Sequence, residues 1–178
     1  MKQGRINPAL ALSAFPSLRL TPPVFPCPVM NFISRLLPAT HVLLDVEAGS
    51  KKRAFEQAGL LFENYNKIAR AQVFDSLLAR ERLASTGLGH GIAIPHGRIK
   101  GLKQALGAFM RLAAPVPFEA IDGRPVSLLF FLLVPEHATE QHLEILSELA
   151  QCFANPDIRQ GLLAAPDSQS VLTLFTPR

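Results

Sequence analysis

The nine residues "VSLLFFLLV" at positions 126–134 hold one hydroxyl and no charge. A membrane-crossing helix needs ~20 such residues, so this run has the length of a strand. A strand with one face in water alternates apolar and polar residues, and this one does not. Its uniform character requires burial on both faces, hence a sheet covered on both sides. The remaining chain must therefore supply helices for two layers, an α/β arrangement.

Those helices can be read from periodicity and caps. Residues 42–48, "VLLDVEA", read as a strand. A helix follows, with Ser50 as N-cap and Ala54, Ala58, Leu61 and Tyr65 on its buried face. A second helix over residues 69–84 places Val73, Leu77, Leu78 and Leu83 inward. "GIAIP" is a short strand and "ALGAFMRLA" a longer one, and Asp122-Gly123 marks a reversal before the apolar strand. The C-terminal third is helical. Thr139 is the expected cap of a helix burying Leu143, Leu146, Leu149, Ala150 and Phe153, Asn155 with Pro156 opens another, and Asp167 caps a third.

Residues 1–29 differ in kind. Six prolines, Pro8, Pro16, Pro22, Pro23, Pro26 and Pro28, forbid a helix or a central strand, so this part reads as a disordered, Pro-rich extension. Its short apolar run "ALALSAF" is closed by proline on both sides, unlike the h-region of a signal peptide. Met30 opens the compact-looking part and is a candidate start of the functional protein. Three of the four net positive charges lie in residues 1–29, which leaves +1 for residues 30–178. A phosphate-backbone binder needs clustered cations and, for RNA, stacking aromatics; this chain has one tyrosine and no tryptophan. No nucleic-acid partner and no membrane insertion are expected. Cys27 and Cys152 lack the spacing of a zinc or redox motif, which suits a reducing cytoplasm.

The chemistry concentrates in "LGHGIAIPHGR", residues 88–98. Pro95 is expected to end strand pairing, so that His96 is displayed at a strand end, with Gly97 leaving room for a phosphate or a partner backbone. A neutral imidazole held through one nitrogen is a nucleophile at the other. Spacing alone leaves a structural or merely exposed histidine as the commoner outcome. It also leaves a zinc reading in which His90, His96, His137 and His142 converge, although no tight ligand pair such as HExxH is present.

Residues 78–97, "LARERLASTGLGHGIAIPHG", resemble the phosphorylation-site signature of the type 2 IIA proteins of the bacterial phosphoenolpyruvate-dependent sugar phosphotransferase system. Within this mannitol and fructose class the likeness is strongest to the nitrogen-regulatory branch. It runs from about Met30 to the C-terminus and takes in "FEAIDGRPVSLLFFLLVP" and "QHLEILSELA". The resemblance implies a single domain over residues 30–178, a central mixed sheet with helices on both faces, and His96 as acceptor of a phosphoryl group from an HPr-like carrier protein. It implies Arg80 and His142 as active-site partners, with Ser85, Thr86 and Gly97 supporting the phosphate site.

Beside each assignment stands a plainer one: Arg80 as a solvated charge paired with Glu81 or Asp75, His142 as an exposed helix residue, Ser85 and Thr86 as local caps. His90 departs from the asparagine common at its position. No metal or organic cofactor is implied. The resemblance further implies cytoplasmic regulation of targets such as potassium transporters or sensor kinases. The alternative is a fructose- or mannitol-type transport component that passes phosphate to a IIB cysteine. No part of this sequence reads as a IIB or membrane IIC domain, which favours the regulatory reading.

Overall fold

The computed structural model describes residues 32–137 and 141–176. A short helix α1 (Ile33–Leu36) leads into strand β1 (Val42–Val46), followed by helices α2 (Lys51–Asn66) and α3 (Arg70–Leu83). Three short strands come next, β2 (Gly87–Gly89), β3 (Ile92–Ala93) and β4 (His96–Ile99), and then two long ones, β5 (Leu106–Val116) and β6 (Val126–Pro135). Helices α4 (Gln141–Ala154), α5 (Pro156–Ala164) and α6 (Ser168–Leu174) complete the order.

The sheet is mixed, in the order β1-β5-β6-β3-β2, with β4 also on β6 beyond β3. β6 is the apolar run, and it lies at the centre. It pairs antiparallel with β5 and parallel with β3 and β4. Alternation along it divides the core. Leu128, Phe130, Leu132 and Val134 meet Ile145, Leu149, Phe153, Leu162, Val171 and Phe175 from α4 to α6 and the residue after. Leu129, Phe131 and Leu133 meet Phe55, Ala58, Phe62, Val73 and Leu77 from α2 and α3. Both faces are covered, as the uniform hydrophobicity of 126–134 requires.

Local signals act where they were expected. The Ser50 hydroxyl accepts from Arg53 N–H, the Asn155 amide oxygen from Asp157 N–H ahead of Pro156 at the helix start, and the Asp167 carboxylate from Ser170 N–H. Gly123, at φ 68°, donates to Ala120 C=O and reverses the chain before β6. Thr139 lies outside the described residues.

The edges of the buried stripes differ from periodicity. Tyr65 is 56% exposed, Leu83 81% and Leu143 59%; Ala150 is exposed, and Leu78 and Leu146 are only partly covered. On α4 Leu149 and Phe153 are buried as expected, and Ile145 and Cys152 are buried with them. The stripe is rotated because the neighbours of α4 are α1 and α5 as well as the sheet. On α3 the buried face runs Val73, Leu77 and then Glu81, a charged residue, while Leu83 points to solvent.

Two buried polar groups tie distant segments together. His41 Nδ1 lies 2.7 Å from Gly107 C=O, and its ring meets Phe62 edge-on. Arg111 forms a two-pronged pair with Asp45 and donates to the carbonyls of Leu162, Leu163 and Ala165, fastening the end of α5 to β5 and β1. A carboxylate held by a guanidinium in this way has its pKa lowered from the usual range, as found for Asp45. Phe131→Ala should lower unfolding free energy by about 3–5 kcal/mol in denaturant titrations. Ile121→Ala, at a side chain 86% exposed, should change it by less than about 0.5 kcal/mol.

Candidate active site

His96 opens strand β4 instead of following the end of a strand. Pro95 interrupts the line from β3 to β4, but pairing with β6 resumes at once: Leu132 N–H donates to Pro95 C=O at 2.9 Å, and His96 is in register with Leu132. The imidazole therefore rises from a strand paired to central β6 rather than from beyond a strand's end. It is partly buried and bonded through both nitrogens. Nδ1 is 2.9 Å from Ile94 C=O, and Nε2 accepts from Arg80 Nε at 3.0 Å.

These contacts determine the proton inventory of the ring. A carbonyl oxygen only accepts, so Nδ1 carries the hydrogen; Arg80 Nε–H only donates, so Nε2 presents its lone pair. The pKa of His96 is lowered, first by burial, which the hydrogen bond to Ile94 opposes, and then by the charges of Arg80 and His142, against a smaller opposing effect of Glu81. The ring is thus held neutral, in one tautomer, with Nε2 as the available nucleophile.

Arg80 reaches this position from the last turn of α3. Its Nη1 donates to Ala84 C=O, the first residue beyond the helix, while Nε meets His96. Pairing with Glu81 or Asp75 does not occur. Glu81 points the other way, into the protein, where it takes Lys51 at 2.9 Å and both the N–H and the hydroxyl of Thr86. His142, near the start of α4, is half-buried; its Nδ1 is enclosed and has no hydrogen-bond partner among the described residues.

The supporting residues divide differently. Ser85 donates to Phe118 C=O and accepts from Gly87 N–H, and Thr86 is bound to Glu81, so both hydroxyls serve the turn after α3. Gly97 is closed to a ligand on its Cβ side. Its Cβ position is filled by Ser76 of α3, whose backbone carbon and Cβ would lie at 3.1 Å, so the missing side chain permits helix and strand to touch. His90 sits between β2 and β3 at φ 55°, its N–H donating to Asp122 at 2.8 Å. Asparagine, aspartate and histidine adopt that left-handed conformation more readily than most residues, so the turn accommodates His90. No three His, Cys, Asp or Glu side chains converge among the described residues, so the four histidines do not gather. No described helix is long and apolar enough to cross a membrane.

Glu81 and Lys51 were not singled out from sequence. The signal was present in "RER" on a helix otherwise burying Val73 and Leu77, but a helical Glu beside two arginines reads as solvated. Its burial depends on Thr86 and Lys51, which only the fold brings to it. In an NMR titration, His96 should show the Nδ1–H tautomer and a pKa below the ordinary imidazole value. Arg80→Ala should raise that pKa by removing a cation. Because the folded-state value is lowered, the stability carried by the neutral ring is present above the unfolded pKa and is lost as pH falls through the folded value.

Residues 35–177 match the family model of the phosphoenolpyruvate-dependent sugar phosphotransferase system, EIIA 2. The nitrogen regulatory protein of Pseudomonas aeruginosa is 44% identical over 140 residues, covering 78% of this chain and 91% of its own. The crystal structure of nitrogen regulatory protein IIA-Ntr from Neisseria meningitidis is 54% identical with a TM-score of 0.78, covering 81% of this chain and 99% of that one. A fructose-specific EIIA component of Haloferax volcanii is 36% identical over 140 residues, covering 78% of this chain and 91% of its own. With the mixed sheet, its two helical layers and these matches together, the chain belongs to the EIIA type 2 family of the phosphoenolpyruvate-dependent sugar phosphotransferase system.

Proposed function

We infer that this protein is a phosphohistidine carrier of a nitrogen-regulatory phosphotransferase system, accepting a phosphoryl group on Nε2 of His96 from an HPr-like protein. The observation that carries the reading is the pair of hydrogen bonds on the ring, from Nδ1 to Ile94 C=O and from Arg80 Nε to Nε2. In the transfer the Nε2 lone pair forms a bond to phosphorus as the bond from phosphorus to the donor's histidine nitrogen breaks. Arg80 releases Nε2 and turns its guanidinium to the phosphoryl oxygens, a short movement for a group already at 3.0 Å. The positive charge spread over the substituted ring is met by Ile94 C=O at Nδ1–H. His142 donates a hydrogen bond to the phosphoryl group, which is consistent with an enclosed Nδ1 that has no partner among the described residues. Phosphoryl transfer asks a protein mainly for alignment and charge stabilisation, and the Arg80 and His142 side chains with the Ile94 carbonyl provide both.

The phosphate then acts as a charge switch. It adds a dianionic group to a protein that also exposes Leu83, three residues beyond Arg80, and Leu143, next to His142, so a partner docking on apolar surface is repelled or a basic one recruited. Targets of the kind expected are potassium transporters or sensor kinases, in the cytoplasm. The regulatory reading is preferred to sugar transport because the nitrogen regulatory proteins of Pseudomonas aeruginosa and Neisseria meningitidis are 44% and 54% identical, against 36% for the fructose-specific component of Haloferax volcanii.

Incubation with phosphoenolpyruvate and the phosphocarrier chain should add one acid-labile phosphate, abolished in His96→Ala. Equal labelling of that variant would overturn the assignment. Arg80→Ala should slow labelling by about 10²-fold, the usual effect of losing one donor to developing charge, with thermal stability kept. Transfer of labelled phosphate onward to a sugar-specific IIB cysteine would favour the transport reading. Capture of a regulatory partner that distinguishes wild type from His96→Glu would favour the carrier.

A further inference from the structure

Glu81 is the best-bonded carboxylate near His96, yet it touches neither the imidazole nor the phosphate position. Its side chain is 4% exposed. One oxygen accepts from Lys51 Nζ at 2.9 Å, and the other accepts both the Thr86 N–H at 3.0 Å and the Thr86 hydroxyl. Lys51 is itself held over the Phe118 ring, 4.6 Å from its centre, and reaches Glu119 at 3.1 Å. A buried carboxylate needs its oxygens paired, and here Lys51 holds one while a single residue of a turn, Thr86, holds the other.

The reason emerges from following Thr86 onward. Its carbonyl accepts from Ile94 N–H at 3.1 Å, and the Ile94 carbonyl takes the proton of His96 Nδ1 at 2.9 Å. On the opposite side of the ring, Nε2 accepts from Arg80, the residue before Glu81 on α3. Glu81, Thr86, Ile94, His96 and Arg80 thus form a closed circuit of hydrogen bonds and short backbone segments that begins and ends on adjacent residues of one helix. Breaking the bonds between Glu81 and Thr86 opens it. The turn can then shift relative to α3, so that the Ile94 carbonyl and the Arg80 guanidinium no longer approach the imidazole from fixed opposite sides.

We propose that Glu81 is a positioning residue for His96, acting through Thr86 and Ile94 to fix the Nδ1–H tautomer and the separation of Arg80 from Nε2. The proposal rests on the phosphocarrier reading for its consequence in rate, but its effect on the tautomer stands without it. Charge alone predicts the opposite rate effect: a carboxylate near an incoming dianion repels it, so removing the charge would speed uptake, whereas loss of positioning slows it.

The test compares wild type, Glu81→Gln and Thr86→Val in three measurements: the nitrogen-15 spectrum of the His96 ring, the rate of phosphoryl uptake from the phosphorylated carrier protein, and the thermal midpoint. The Glu81→Gln amide offers Thr86 one acceptor and cannot neutralise Lys51, while Thr86→Val removes only the hydroxyl donor and keeps the side-chain shape. Glu81→Gln should move part of the His96 population to the Nε2–H tautomer and slow uptake about tenfold, with Thr86→Val intermediate. Wild-type tautomer and rate in Glu81→Gln, with only a lower thermal midpoint, would overturn the proposal, and so would faster uptake with an unchanged tautomer. Should Glu81→Gln fail to fold, Thr86→Val decides by the same two readouts. If wild type takes no label, the phosphocarrier reading falls, and the tautomer spectrum alone decides the role of Glu81.

Discussion

Strand β6 carries two tasks at once. Its alternate side chains hold the helical layers apart, Phe130 and its neighbours facing α4 to α6, Phe131 and its neighbours facing α2 and α3. Its backbone also sets the height of His96, through Leu132 N–H on Pro95 C=O and the register from His96–Leu132 to Ile99–Pro135. A displaced β6 would therefore disturb core and site together. The imidazole is as firmly located as the centre of the sheet because it is attached there. Alignment of this kind is the main contribution a protein makes to phosphoryl transfer.

Features governed by neighbours in sequence were legible in advance. The caps Ser50, Asn155 and Asp167, the Asp122-Gly123 turn and the doubly buried strand all express themselves within a few residues. His96 and Arg80 were legible for another reason: a long signature spaces them 16 positions apart, and the structure joins them at 3.0 Å. What escaped depends on distant partners. Helical periodicity indicated the direction of each buried stripe but not its width, so Tyr65, Leu83 and Leu143 were placed inside although the adjacent layer does not extend over them. Glu81 read as a solvated charge, and the anchoring role of Arg111 was not visible, because Thr86, Lys51, Asp45 and the carbonyls of Leu162, Leu163 and Ala165 come to them only through the fold. Gly97 was legible as a requirement for space, but the occupant of that space, Ser76, was not.

Helix α3 illustrates how local and long-range demands combine. At Gly97 the helix approaches β4 as closely as backbone contact allows, with Ser76 donating its hydroxyl to Arg98 C=O. One turn later the same helix delivers Arg80 to the imidazole. Close packing at the first point limits how far the second can drift, since interiors at crystal density transmit displacement instead of absorbing it.

The break between β3 and β4 has a consequence for the economy of the sheet. An unbroken strand would commit its carbonyls to neighbouring strands, and its side chains would find no acceptor in their own backbone. Proline at 95 cannot donate, the regular strand is interrupted there, and the Ile94 oxygen turns to a side-chain nitrogen two positions along. A gap that weakens the fabric by a bond or two thus supplies the anchor that orders a proton on the ring. Regularity and reactivity compete for the same oxygen atom, and at this one place in the strand reactivity holds it.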